Sequence, residues 1–135
     1  MSDETKETLK KVAVVGGRNF KDKDRLFQVL TDNKKKIRLI VSGNANGADS
    51  FAVEWAIKFG VPFLVFPPLW NDPETGLFDR GAGFKRNAQI VEHSDVIIAF
   101  WDGTSRGTKN TIEVAKMKGK PVKIISFVPE EITNK

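Results

Sequence analysis

The stretch Ile97-Ile98-Ala99-Phe100-Trp101-Asp102-Gly103-Thr104-Ser105-Arg106-Gly107-Thr108 decides how this chain reads. A continuous apolar run, as in a strand buried on both faces, gives way to a turn of Gly, Ser and Thr that opens a helix. Such a turn offers backbone N–H groups at a helix N-terminus, where the dipole favours negative charge. Gly103 and Gly107 supply flexibility, and Thr104, Ser105 and Thr108 supply hydroxyls. Helix capping accounts for one Ser or Thr, but hardly for all of them. Asp102 ends the strand, a place suited to a ribose-binding or acid/base carboxylate.

Working outward, two upstream stretches repeat the design. Val14-Val15-Gly16-Gly17-Arg18 places two glycines and an arginine after an apolar run. Glycine permits close ligand approach, and Arg18 can pair with a phosphate through two parallel hydrogen bonds. Val41-Ser42-Gly43-Asn44-Ala45-Asn46-Gly47-Ala48-Asp49 is richer. Gly43 and Gly47 flank a loop, Ser42 and Asn44 add short polar side chains, and Asp49 falls in the first turn of a helix. Its carboxylate either complements the dipole or contacts a ribose hydroxyl or a cation. Between these blocks and the last, Arg86-Asn87 follows Gly81-Ala82-Gly83 at a helix start. A cation there opposes the dipole, which points to an anion nearby.

The remaining pattern supplies the frame. Apolar runs at 12–15, 37–41, 61–66, 96–100 and 121–127 read as strands, and 25–33, 84–91 and 108–118 as helices. Ala48, Phe51, Ala52, Trp55, Ala56 and Phe59 form the clearest helical stripe, with Gly60 as its cap. Residues 69–83 show little periodicity and read as a long irregular loop; Trp70 and Phe78 within it either cover a base or pack the loop down. Alternating strands and helices predict a three-layer α/β, Rossmann-like domain with a mainly parallel sheet of about five strands. Ligands bind at the carboxyl ends of such strands, so the glycine-rich turns are expected along one edge. One domain is expected over 12–128, between polar tails at 1–11 and 129–135.

Composition narrows the function classes. The chain has 135 residues and no cysteine, which excludes disulfides, zinc–cysteine sites and thiol catalysis. A single histidine, His93, cannot build a histidine metal cluster and reads as a helix-end residue. No metal site is predicted and no cofactor is required, although carboxylates and a phosphate together can hold a divalent cation. No apolar run spans a bilayer and no signal peptide stands out, so no membrane partner and a cytoplasmic location are expected. The net charge of +5 is modest. Lys34-Lys35-Lys36 reads as a solvated helix end without interleaved aromatics, so single-stranded nucleic-acid binding, which the positive charge suggests, is the least favoured reading. The pattern contains neither the dinucleotide fingerprint nor a Walker A motif, arguing against a P-loop NTPase.

The four blocks at 16–20, 42–49, 83–87 and 99–108, in this order, resemble the YspA-like, cpYpsA-related branch of the SLOG superfamily. The resemblance implies a compact Rossmann-like domain that binds a nucleotide or a derivative, ADP-ribose-like, NAD-like or a nucleoside monophosphate, as a sensor, carrier or sequestering protein. It also brings an alternative, because the superfamily's phosphoribohydrolases release a base from a nucleoside monophosphate. Their Gly-Gly-x-Gly-Thr-x-x-Glu turn is similar in shape to 102–108, and Arg86 matches their arginine. Thr111 stands where their glutamate would be, and Glu113 lies about 200° around a helix from it. Asp102, Glu113 and Arg86 are therefore the candidates for catalysis if the chain is an enzyme. A homodimer is compatible with the pattern.

Overall fold

The structure, a computed structural model, describes residues 9–43 and 46–128. Five strands, β1 (Lys10–Gly16), β2 (Ile37–Ser42), β3 (Phe63–Val65), β4 (Val96–Trp101) and β5 (Val122–Ser126), form one sheet in the order β3-β2-β1-β4-β5. Every pairing is parallel. Helices α1 (Lys23–Asp32), α2 (Ala48–Phe59), α3 (Ala82–Glu92) and α4 (Arg106–Met117) cover its two faces. This is the expected three-layer α/β, Rossmann-like architecture.

The alternation of β1 shows how the layers arise. Val12 and Val14 enter one core with Leu26 and Leu30 of α1 and Ala52, Trp55 and Ala56 of α2. Ala13 and Val15 enter the other core with Ile90 and Val91 of α3 and Ile112 and Ala115 of α4. Successive side chains of a strand point to opposite faces, so one unbroken apolar run serves both cores. In α2 the predicted stripe is the buried face, and Trp55 lies fully inside with its indole N–H donating to Thr31 Oγ1 at 3.1 Å. Gly60 caps that helix in the left-handed conformation. Asp22 caps α1 by accepting from the Arg25 amide at 3.1 Å.

Several boundaries differ from the sequence reading. β1 begins at Lys10 rather than 12, because Lys10 and Lys11 pair with β2 at the sheet's edge of entry. β3 keeps only three residues of the predicted 61–66 run. It is the edge strand, with Phe63 and Leu64 exposed, and short edges limit unwanted strand pairing. Lys34–Lys36 forms a separate 3₁₀ turn after α1. The 69–83 segment is more ordered than an irregular loop. Asn71 and Phe78 form an antiparallel bridge, with Asp72 N donating to Leu77 O at 2.8 Å and Asp79 N to Trp70 O at 2.6 Å.

The strand order reverses between β1 and β4. The chain steps outward from β1 to β3, then crosses back to β4 on the other side of β1. At such a reversal the loops leaving adjacent carboxyl ends turn to opposite faces and open a crevice between them. The first and last glycine-rich turns leave from those two strands.

Candidate functional site

The crevice is a cavity of about 510 Å³ at the carboxyl edge of the sheet. Four segments line it. The β1 turn gives Val15, Gly16, Gly17, Arg18 and Asn19; α2 gives Asp49; and α3 gives Arg86, Asn87 and Ile90. The β4–α4 turn and the helix it opens give Asp102, Thr104, Ser105, Gly107, Thr108 and Thr111. The first and last glycine-rich turns thus meet at this edge, as strand order predicts, and the middle one contributes Asp49 of α2.

The β1 turn is held from below. Phe20 is buried and packs on Phe100, with ring centroids 4.7 Å apart, and on Phe127 at 5.0 Å. Its amide donates to Gly17 O at 3.2 Å, while Gly17 N reaches Phe100 O of β4 at 3.4 Å. With the backbone fixed in this way, Arg18 projects as an exposed side chain beside the cavity.

The β4–α4 turn is built around Asp102. Its Oδ1 accepts from Thr104 N at 2.9 Å and Ser105 N at 2.8 Å, an Asx turn. These bonds, the Thr104 amide first, hold the carboxyl below its ordinary value of 3.8. Asp102 is thereby a fixed anion that orders the turn. The Ser105 carbonyl accepts from Trp101 Nε1 at 3.1 Å and from Lys109 N at 3.1 Å, which closes the first turn of α4. The preceding amides of that turn, those of Arg106, Gly107 and Thr108, have no carbonyl within the helix to reach. Ser105 Oγ donates to Thr108 Oγ1 at 3.3 Å and makes no side-chain cap to the backbone, contrary to simple capping by these hydroxyls.

Arg86, on α3, also lines the cavity. It is half-buried, donates through Nη1 to Gly43 O, and donates through Nε to Asn87 Oδ1 at 3.0 Å. Asn87 in turn donates to Gly107 O at 3.3 Å and Asn110 Oδ1 at 3.1 Å, tying α3 to α4. Burial is the main cause that lowers the Arg86 pKa; the Asp49 charge opposes it, and the Arg18 charge adds to it. The guanidinium stays protonated, since arginine does not lose its proton in proteins. Two arginines close enough to repel each other therefore share one cavity with a helix N-terminus.

Other residues singled out by sequence stand behind the lining. Ser42 is buried and donates to Asp49 O at 3.1 Å, and Gly43 lies beneath Arg86. Gly47, with φ of 81°, packs on the β1 turn; a Cβ there would sit 2.5 Å from Gly17 O. Gly103, with φ of 90°, shapes the Asx turn. Asn44 lies outside the described residues. Glu113 is exposed on α4 and does not line the cavity. His93 caps α3, its ring Nδ1 2.8 Å from Gln89 O. Among the described residues no cluster of three Asp, Glu or His groups could hold a metal ion, and no helix is long and apolar enough to cross a membrane.

Asn19, Ile90 and Thr111 were missed by sequence reasoning. Thr111 is the most instructive: it is fully buried, lines the cavity and donates to Gly107 O at 3.2 Å. Its spacing from Thr108, three residues along one helix face, is a signal that could have found it.

The fold and crevice define a Rossmann-like α/β domain with an anion-suited cleft at its strand reversal. Residues 10–72 match the model of the YspA, cpYpsA-related SLOG family. Several solved structures share the fold, among them these three. The chain is similar to DNA processing protein A from Helicobacter pylori, a protein described with a single-stranded DNA binding mode, at 21% identity and a TM-score of 0.65. That match covers 90% of this chain and 67% of the other. The corresponding protein of Streptococcus pneumoniae aligns at 22% identity and a TM-score of 0.72, over 96% of this chain but 54% of its own. The structural-genomics target TM1055 aligns at 24% identity and a TM-score of 0.61, covering 84% and 72%. No curated protein matches the chain in sequence.

Proposed function

We propose that the cleft binds the phosphate of a nucleotide or nucleotide derivative, and that the chain acts as a sensor, carrier or sequestering protein. The observation that carries this reading is the placing of Arg18, Arg86 and the α4 N-terminus around one cavity. Two mutually repelling guanidiniums gain most from a shared dianion, and charge-assisted bonds to phosphate are the strong ones. The reading favours binding over base release. Asp102 is tied down as an acceptor within its own turn, and Thr111 stands where a phosphoribohydrolase would place its glutamate.

Calorimetry with AMP, ADP-ribose and NAD tests the proposal. Saturable binding is expected for at least one, with the exposed Arg18→Ala variant weakened about tenfold at unchanged melting temperature. Absence of heat and of any thermal shift across the panel at millimolar ligand overturns it. Release of free base from AMP would transfer the reading to the hydrolase alternative.

A second reading, single-stranded nucleic acid laid along the same edge, draws on the fold shared with the DNA processing proteins. It raises the weight of nucleic acid, the least favoured partner on sequence alone. Binding of oligothymidylate that falls steeply with added salt, without binding of mononucleotides, would favour it.

A further inference from the structure

Beside the phosphate cleft stands an aromatic pair that the core does not use. Trp70 and Phe78 stack with ring centroids 6.1 Å apart and planes within 9° of parallel. They remain 44% and 65% exposed. Both sit on the short hairpin closed by the Asn71–Phe78 bridge, and Asp72 stiffens its turn by accepting from the amides of Glu74 at 2.7 Å and Thr75 at 3.3 Å. Order of this kind, spent on holding aromatic rings in water, calls for an occupant.

Position identifies it. The Trp70 ring lies against the first turn of α3, its Cη2 only 3.6 Å from where a Cβ on Gly83 would be. Gly83 and Arg86 are three residues apart on one helix, and so share a face about 4.5 Å apart along the axis. Arg86 lines the phosphate cleft and also a smaller cavity of about 260 Å³ under the hairpin, which Leu69, Asp79 and Lys85 help to line. Lys85 and Asp79 pair at 2.7 Å in that smaller cavity and keep the hairpin's base on α3. Trp70 therefore packs on the turn of α3 that carries Arg86, outside the cleft lining itself.

On the reading of the cleft as a phosphate site, we infer that Trp70 and Phe78 form a stacking platform for the nucleobase of the bound nucleotide. The platform takes a flat π-face without reading hydrogen bonds, so it accepts purines and pyrimidines alike and favours larger rings. The ligand class it implies is a base-bearing phosphorylated nucleoside, rather than a sugar phosphate alone.

Paired titrations of AMP and ribose 5-phosphate test this. AMP is expected to bind the wild type more tightly and to quench tryptophan emission, a quench absent with ribose 5-phosphate and lost in Trp70→Phe. Trp70→Ala is expected to weaken AMP about tenfold and leave ribose 5-phosphate unchanged; Trp70→Phe restores most of the loss. Retained ribose 5-phosphate binding shows that the variant is folded. If the alanine variant does not fold, the quench in the wild type and its loss in Trp70→Phe carry the test. Equal AMP affinity in wild type and Trp70→Ala overturns the platform while leaving the phosphate site intact. A loss confined to oligothymidylate, with AMP unaffected, also overturns it. If neither small ligand binds the wild type, the platform falls; the phosphate reading falls with it only if ADP-ribose and NAD are silent as well.

Discussion

Gly43 and Arg86 occupy each other's space. The Arg86 guanidinium donates to the Gly43 carbonyl and lies where a side chain on Gly43 would go, with Nη1 2.6 Å and Cζ 3.0 Å from an added Cβ. The absence of a side chain at one loop position thus sets where the cleft's half-buried cation sits.

Gly43→Ala should therefore displace Arg86 without unfolding the domain, because the atoms that must move are side-chain ends, those of Arg86 and of the buried Asp49, rather than backbone. AMP affinity is expected to fall about tenfold while the melting temperature stays within a few degrees. Calorimetry and thermal unfolding on the same sample check both halves.

Gly47→Ala is expected to behave in the opposite way. Gly47 has φ of 81°, and a Cβ would meet the Gly17 carbonyl at 2.5 Å, a backbone atom that cannot step aside. A loss of about 2 kcal/mol or more in urea unfolding is expected, with binding weakened only through the disturbed β1 turn.

Asp102 gives a pH signature. Its folded pKa lies below its ordinary value, so its stabilisation is fully present above the unfolded pKa near 3.9 and is lost as pH falls through the folded value. Asp102→Ala should cost about 1 kcal/mol at neutral pH, as for loss of a helix cap. The gap between variant and wild type should close on acidification below pH 4. Urea melts at stepped pH measure it; a gap constant down to the acid limit would contradict the assignment.

Phe20→Ala should cost about 3–5 kcal/mol, since the ring is fully buried between Phe100 and Phe127. Phe20→Leu should cost less and keep the turn in place. Chemical denaturation gives the loss, and AMP titration of the leucine variant shows whether the Gly17 turn survives.

The cleft lining was legible wherever a loop carried its own chemistry. Arg18, Asp49, Arg86 and the 102–108 turn announce themselves because glycine, hydroxyl and charge cluster after apolar runs, and parallel topology then brings them to one edge. Thr111 and Ile90 reach the cavity from helix interiors, where nothing local separates a lining residue from a core one. Asp102 was visible as a carboxylate, but its role as an acceptor for its own turn depends on a two-residue spacing to Thr104 that is easily taken for capping by the hydroxyls. β3 was drawn too long because an apolar run looks the same in an edge strand as in a central one until its neighbours are known. The hairpin at 71–78 was invisible as structure: one bridging pair leaves no alternation to detect.

The pairing of β1 with β4 has a kinetic consequence. Lys11 and Asp95, bonded at 2.8 Å beside the Val12–Val96 pair, are separated by 84 residues of chain. Loop closure of that length costs entropy before any contact rewards it, and folds dominated by such distant pairings form slowly. The cleft's two walls, Arg18 on one side and Asp102 to Thr108 on the other, exist together only after this closure. A nascent chain ending before β4 carries one wall of the cleft and not the other. If the cleft binds a nucleotide as proposed, that binding reports completed folding and stabilises only the finished state.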